Sequence, residues 1–502
     1  MFLERGNVDR KLIDGGLTVI RIWGESVPEL ALKIKWVIPK SQSDMRTFSV
    51  HRIPNMLQVG MIVTAALASI VVGTTYLIYD SPFSPLIVAG LVLGILLALV
   101  WVRWPILALY SAVLVVLLPI GLFPASIQSY LNRSLTVVAF VIWGIYIIIR
   151  RRRVVWTSTA LFMLGFLVWC LLTLLWASNL EAAKSELGGY ALRFVLFLFL
   201  IANEIKTRET LDGLMRILAI AGWVFIVAGV GSLFSQGYEV GTRFQILGEN
   251  ENTLGGLFPL VMVGVIWFAI RTPNPRRTLS IFMCLAFILL SFVLIGLSGS
   301  RGGIISWFIS MLVLLFWRQT RSWGMLGLLI FLAMIIIAPI ILSTTIARFT
   351  GSTGETLLGG RESLWQAAWL LIRDHPLTGV GVGNGPYAIM SYVRIFRNTL
   401  GYEKTAVHNP ILAVWVETGL LGLLLYLSVL ASSVWSFVRQ YNRSIKLGAQ
   451  WQMPYFALIA AAFFGYFASW IKGGGMESSF SFFLMIALLL IPTHLGTLDS
   501  TT

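Results

Sequence analysis

Residues 408–422 read HNPILAVWVETGLLG and place a histidine at the lip of an apolar run. Imidazole is the side chain that most readily moves a proton near neutral pH. His408 is therefore the first candidate for general-base chemistry, beside the plainer role of a helix-start residue bonded to a loop. Asn409 has the type that caps a helix, and Pro410 suits the first turn. Glu417 follows nine residues later, about 180° round a helix from His408, so the two cannot form a dyad. Glu417 is expected to pair with a polar group on another helix. Of the other histidines, His375 precedes Pro376 and reads as structural, and His51 and His494 fall on the cytoplasmic side.

Arginines form the second set. Arg193 lies in GGYALRFVLFLFL, Arg301 in LSGSRGGIISW, Arg243 in GTRFQILGENENT, and Arg361 opens RESLWQAAWLLIRDHP. A guanidinium in or near hydrocarbon costs several kcal/mol, so each needs a partner or a task. Snorkelling or a salt bridge to a loop glutamate would satisfy them structurally. An electropositive pocket would use them functionally, because the planar fork of arginine binds two phosphate oxygens at once. Arg243 is the weaker member, as is Asn409.

Other chemistries find less support. The outside surface has two aspartates, Asp80 and Asp374, far apart, and no Asp-x-Asp pair. Glu249 and Glu251 in GENEN could hold a hard cation but read better as a polar loop before a helix, so no metal and no cofactor are expected. The glycine-rich GVGVGNG (379–385) imitates a phosphate loop without the strand–turn–helix context, and reads as a flexible turn. No GxxxxGK[ST] motif is present, which argues against a chain with its own ATP motor. Cys170 and Cys284 lie in apolar runs and read as small core residues, with no disulfide framework.

The elements that carry these residues are membrane helices. The chain has 502 residues, 57% hydrophobic and 12% charged, against about 25% charged in a soluble domain. Long apolar runs recur, and the weak ten-residue alternation of a membrane barrel is absent. The expected fold is an all-α polytopic membrane protein of about 12–14 transmembrane helices. Candidate spans begin near residues 56, 84, 104, 133, 156, 187, 213, 254, 278, 303, 323, 407, 453 and 477, those near 187 and 303 being short.

The net charge of +15 resides in short loops, including RRRR (150–153), RTPNPRR (271–277) and RQTR (318–321). That pattern orients a membrane protein and does not mark a nucleic-acid face. It places both termini in the cytoplasm. Four regions follow: a basic cytoplasmic segment 1–55 without a cleavable signal peptide; helices over 56–343; one long outside loop, 344–406; and helices plus a tail over 407–502. Within the loop, Leu364, Trp365, Ala368, Leu371 and Ile372 share one helical face, ended by Pro376, so an amphipathic helix lying at the outer surface is expected.

These residues together resemble the O-antigen ligase and O-antigen polymerase superfamily. His408, Asn409, Gly419 and Gly422 match its H-N-x9-G-x-x-G signature. GSRGG (299–303), GRESLWQAAWLLIRDHPLTGVGVGN (360–384) and the Arg193 segment look like it too, covering about residues 180–430. The resemblance implies a GT-C-like membrane glycosyltransferase that moves a saccharide from undecaprenyl diphosphate to an acceptor at the outer face of the bacterial inner membrane. It implies an inverting, metal-independent ligase or polymerase of lipopolysaccharide or other envelope polysaccharide. The acceptor would be lipid A core, a growing glycan or a protein. Arg193, Arg301 and Arg361 would contact the diphosphate and His408 would act as the loop histidine. The alternatives are an O-antigen or exopolysaccharide polymerase of the same superfamily, a cell-wall glycan polymerase lacking the histidine signature and, from another class, a polysaccharide or lipid flippase.

The charge pattern yields a topological prediction. In intact cells, a membrane-impermeant thiol reagent should label Ser352→Cys and leave Ser444→Cys unlabelled until the membrane is opened. The reverse pattern would invert the orientation.

Overall fold

The computed structural model describes residues 94, 97 and 99–492, apart from 123, 152–153, 240–241, 274, 338, 351–360, 397–403 and 474–477. The basic segment 1–55, the span expected near 56 and most of the one near 84 lie outside the described residues.

The described chain is helical: α1 Pro105–Val116, α2 Ala125–Arg150, α3 Ser158–Thr173, α4 Leu180–Glu204, α5 Arg208–Gln236, α6 Thr253–Arg271, α7 Arg277–Leu297, α8 Arg301–Leu314, α9 Arg321–Ile337, α10 Pro339–Phe349, α11 Glu362–Asp374, α12 Gly385–Phe396, α13 Pro410–Lys446, α14 Met453–Trp470 and α15 Phe480–Leu490. Seven helices are long and apolar enough to cross a membrane, lying in α2, α4, α5, α6, α7, α13 and, over Gln450–Trp470, α14; five shorter apolar helices accompany them. Helices are the required solution here, because hydrocarbon offers nothing to bond a free backbone N–H or C=O. The protein is an all-α polytopic membrane protein. An apolar helix stands at each expected span from residue 104 onward. The span expected near 187 belongs to α4, a full 25 residues, whereas α8 has 14 residues, a rise of about 21 Å, short of the roughly 30 Å of hydrocarbon.

Small residues let the central helices approach closely. A Cβ on Gly255 of α6 would meet the backbone of Gly303 on α8 and lie 3.3 Å from Ser469 Oγ of α14. Gly465 on α14 faces Ser310 on α8, whose hydroxyl donates to the Ala461 carbonyl at 3.1 Å. Packing through Gly, Ala and Ser is how helices associate where lipid removes the hydrophobic drive between them. This contact fixes the start of α8 and the end of α14 at one end of the bundle.

The long loop is more structured than one surface helix. The expected face of α11 is apolar as read, with Leu364, Ala367, Ala368, Leu371 and Ile372 buried. It packs on Ile389 and Val393 of α12 and on Val407, Leu412, Ala413 and Val416 at the start of α13, forming a separate small core.

Candidate active site

The local frame is a break in α13. Gly419 has φ +66° and ψ −170°, so Pro410–Thr418 and Leu420–Lys446 are two helical pieces. The carbonyls freed by the break are met from outside the helix. Val380 N–H donates to the Val416 carbonyl and Gly381 N–H to the Glu417 carbonyl, both at 2.9 Å; Trp169 Nε1 donates to the Thr418 carbonyl at 2.7 Å. Leu420 N–H and Trp415 Nε1 both reach the Pro376 carbonyl, at 3.0 and 3.1 Å. The Glu417 carboxylate is buried and accepts Gly383 N–H at 2.9 Å. Its partner is thus a loop amide, and not only a group on another helix as the sequence suggested.

This corrects the reading of GVGVGNG. The stretch is docked, with Val382 and Asn384 fully buried. Gly379, Gly381 and Gly383 have φ of +65°, +98° and +70°. A side chain on Gly379 would strike the Glu417 backbone, and one on Gly385 would lie 2.9 Å from the Glu417 carboxylate. Asn384 ties the loop down, accepting from Asn179 N–H at 2.7 Å and Ser178 at 3.0 Å. Val382 N–H reaches Thr173 Oγ1 at 3.0 Å. The glycines serve close backbone approach.

On this frame, α13 begins by presenting His408. Asn409 Oδ1 accepts from Ile411 N–H at 3.0 Å and Leu412 N–H at 3.1 Å, a double cap, and Pro410 occupies the first turn. The Asn409 side-chain oxygen is therefore committed to the helix. His408 itself has φ +56°, a left-handed conformation uncommon for any residue but glycine and associated with functional positions. Its ring is half-buried. Burial first, and the Arg361 charge second, hold its pKa below the ordinary histidine value.

The other two principal residues also stand at helix starts. Arg361 is the N-cap residue of α11, and Arg301 is the first residue of α8, which is capped by Ser300 Oγ accepting Gly303 N–H at 3.2 Å. Helix N-termini carry partial positive charge and open amides, the arrangement that favours anions. Both arginines are close enough to depress the pKa of Lys472, after burial, while Arg361 also acts on His408. Arg361 thus acts on both His408 and Lys472, and Arg301 on Lys472.

Around Gly299 the guanidinium groups interlock. Arg301 Nη1 donates to the Arg348 carbonyl at 2.9 Å, and Arg348 Nη1 to the Gly299 carbonyl at 2.7 Å. Arg243 Nε reaches the Ser298 carbonyl at 3.2 Å, and its Nη2 reaches Asn252 Oδ1 at 3.3 Å. Arg243 also pairs with Glu251 at 3.5 Å, so its structural reading has direct support. Glu251 further accepts from Gln245 at 2.8 Å, which engages one half of the only glutamate pair considered for a cation.

Arg193 stands on a different helix, α4. It ends the α-helical part of α4, which continues as a π-helix over Phe194–Ile201, a geometry often found at functional positions. Its guanidinium lies 4.8 Å from the ring centroid of Phe480, at the start of α15, a cation–π contact. Arg193 thus meets the connection between α14 and α15, the same connection that carries Lys472.

Two cations of this region escaped the sequence reading, Arg348 and Lys472. Each follows an apolar helix or closes one, where a basic residue carries no signal of its own. The recoverable clue was position: both fall on the side assigned to the arginines.

What these observations define is a multi-pass helical membrane protein that carries arginines and a histidine at helix starts. Residues 285–427 match the family model described as O-antigen ligase. The match holds Arg301, Arg361 and His408, and it supports the resemblance to the O-antigen ligase superfamily, with ligase-like glycosyl transfer at the level of the family. Arg193, Arg243 and Lys472 lie outside it. No curated protein matches the chain.

The break predicts its own sensitivity. Gly419→Ala must adopt a positive φ, costing roughly 1–3 kcal/mol, and would also collide with the Leu377 carbonyl. Its thermal unfolding midpoint in detergent should fall well below that of Gly448→Ala, where φ is +67° with open space around it. Equal midpoints would remove the docking argument.

Proposed function

We propose that the protein is a lipid-linked-saccharide glycosyltransferase of the O-antigen ligase type. It moves a glycan from an undecaprenyl-diphosphate carrier to a glycan or lipid acceptor at the outer face of the inner membrane. The observation that carries this reading is the position of His408, Arg361 and Arg301 at helix starts inside the segment that matches the family.

The chemistry follows from those groups. The acceptor hydroxyl attacks the anomeric carbon from the side opposite the diphosphate, with inversion. His408, held neutral by its surroundings, accepts the hydroxyl proton. The bond from the anomeric carbon to the phosphate oxygen breaks, and the diphosphate leaves with the electron pair. Negative charge grows on that leaving group, and preorganised cations there lower the barrier more than they stabilise the ground state. Arg301 and Arg361 are the principal contacts. Arg193 is a third, on the α4 wall. Arginines supply here the positive charge that a divalent cation supplies in other diphosphate-using transferases.

A broken helix also favours the flippase alternative, since such breaks bind ions and substrates in transporters. At Gly419, however, the Val416, Glu417 and Thr418 carbonyls already receive protein donors. The transferase reading therefore has the better support.

The decisive assay supplies purified protein with a lipid-linked glycan and, in turn, lipid A core, free glycan and no acceptor. Transfer to lipid A core identifies a ligase, and elongation of free glycan a polymerase. Movement of the lipid without transfer would overturn the proposal.

His408→Ala should lose transfer by about 10²–10⁴-fold and keep donor binding. In the wild type, the lowered pKa keeps the imidazole neutral to more acid pH than a free histidine. Transfer should therefore fall only as pH drops below the ordinary histidine range. Arg361→Ala should move that acid limb upward. Near-normal turnover in His408→Ala would refute the base.

Transfer should survive excess EDTA. Abolition by EDTA with recovery on adding Mg²⁺ or Mn²⁺ would refute the arginine-based mechanism.

A further inference from the structure

The family match ends at residue 427, and the sequence of the last two helices carries no motif. Their connection nevertheless borders the site twice. Phe480, at the start of α15, underlies the Arg193 guanidinium. Lys472, just past the end of α14, is half-buried, and its N–H bonds the Ser469 carbonyl at 3.2 Å. Ser469 in turn lies against the Gly255–Gly303 contact, which sets the end of α14 beside the first turn of α8, where Arg301 stands. Lys472 thus extends one turn beyond a fixed point, at the end of the bundle where Arg301 begins α8.

A lysine placed only to complement the end of its own helix would face carbonyls and need no cationic neighbours. Lys472 set beside the start of α8 meets the like charge of Arg301, and an anion between such cations relieves their repulsion. Resting on the function proposed above, we propose that Lys472 is a direct contact of the donor diphosphate, its ammonium binding a non-bridging phosphate oxygen. The last two helices would then complete a site whose other cations come from α4, α8 and α11. Lysine acts on phosphate as a point charge, where arginine adds a fork. Lys472 should therefore contribute affinity with little demand on orientation.

Consistent with this, burial first, and Arg361 and Arg301 next, pull the Lys472 pKa below the ordinary lysine value. A group so shifted loses its charge as pH rises, earlier than a free lysine does. His408, the other titrating group near Arg361, changes charge only on the acid side.

The experiment measures equilibrium binding of farnesyl diphosphate to the full chain in detergent from about pH 8 to 10, a range below the free-lysine pKa. It compares wild type, Lys472→Met, Lys472→Gln, Lys472→Arg and Arg301→Ala. The proposal expects both neutral variants to bind at least about tenfold more weakly. It expects Lys472→Arg to stay near wild type at the lower pH. It also expects an alkaline loss of affinity in the wild type that Lys472→Arg lacks. Wild-type affinity in the neutral variants, with Arg301→Ala weakened, overturns the role of Lys472 and leaves the donor site standing. Equal weakening in Lys472→Arg and Lys472→Met, with an unchanged alkaline limb, also overturns it, by assigning the lysine to packing. Wild-type affinity in every variant, Arg301→Ala included, instead removes the donor site itself. Should the neutral variants fail to fold, comparing the alkaline limb in wild type and Lys472→Arg still decides.

Discussion

Everything at the candidate site hangs on the interruption of α13 at Gly419. A membrane helix that stops leaves carbonyls that must be bonded, and water is not there to do it. The chain answers with the 376–384 loop, whose amides fill the break. That requirement draws α11 and α12 down onto the first half of α13 and fixes the small core they share. It also anchors the loop on the α3–α4 junction through Asn384. The histidine signature is therefore one mechanical unit. Asn409 starts the helix, Gly419 breaks it, and Gly422 lets Trp169 approach closely, 3.0 Å from where a Cβ would be. His408 is the residue this unit holds out.

The second constraint is electrostatic. Arginines gathered in a region of low dielectric repel one another, and that repulsion has to be offset by fixed dipoles. The carbonyls of Ser298, Gly299 and Arg348 do so, each accepting from a guanidinium. These bonds hold Arg243, Arg301 and Arg348 in place. His408 feels burial first and the Arg361 charge second, and both lower its pKa. In the function proposed above, binding the leaving group and readying the base draw on the same kind of arrangement.

The helical architecture was legible because hydrocarbon permits so few solutions: apolar runs alone locate the helices from residue 104 onward. Arg301, Arg361 and His408 were legible for a related reason, since a titratable group in an apolar setting demands explanation. The sequence was misleading where it signals freedom instead of burden. GVGVGNG reads as flexible because glycine is permissive, yet its glycines are there because the backbone must touch Glu417. GPYAIMSYVRIF, which forms α12, has no signal strong enough to stand apart from a loop. Arg348 and Lys472 look like ordinary charges at helix ends, and only the contact between α6, α8 and α14 brings Lys472 to the arginines.

Discontinuous helices raise a general question of use. In transporters the unwound carbonyls and half-helix ends coordinate the travelling ion or substrate, and the break must stay available to it. In this chain the break is filled from three directions, by Val380, Gly381 and Trp169. The other end of the half-helix, the N-terminus at Asn409, lies about 13 Å away along nine residues. Its amides are capped by Asn409, and the positive end of the dipole stands beside His408 and the charge of Arg361. The interruption therefore converts one long membrane helix into a short one whose start can be aimed independently. That adjustment suits the role proposed for His408, a base that meets a membrane-borne donor at a set depth.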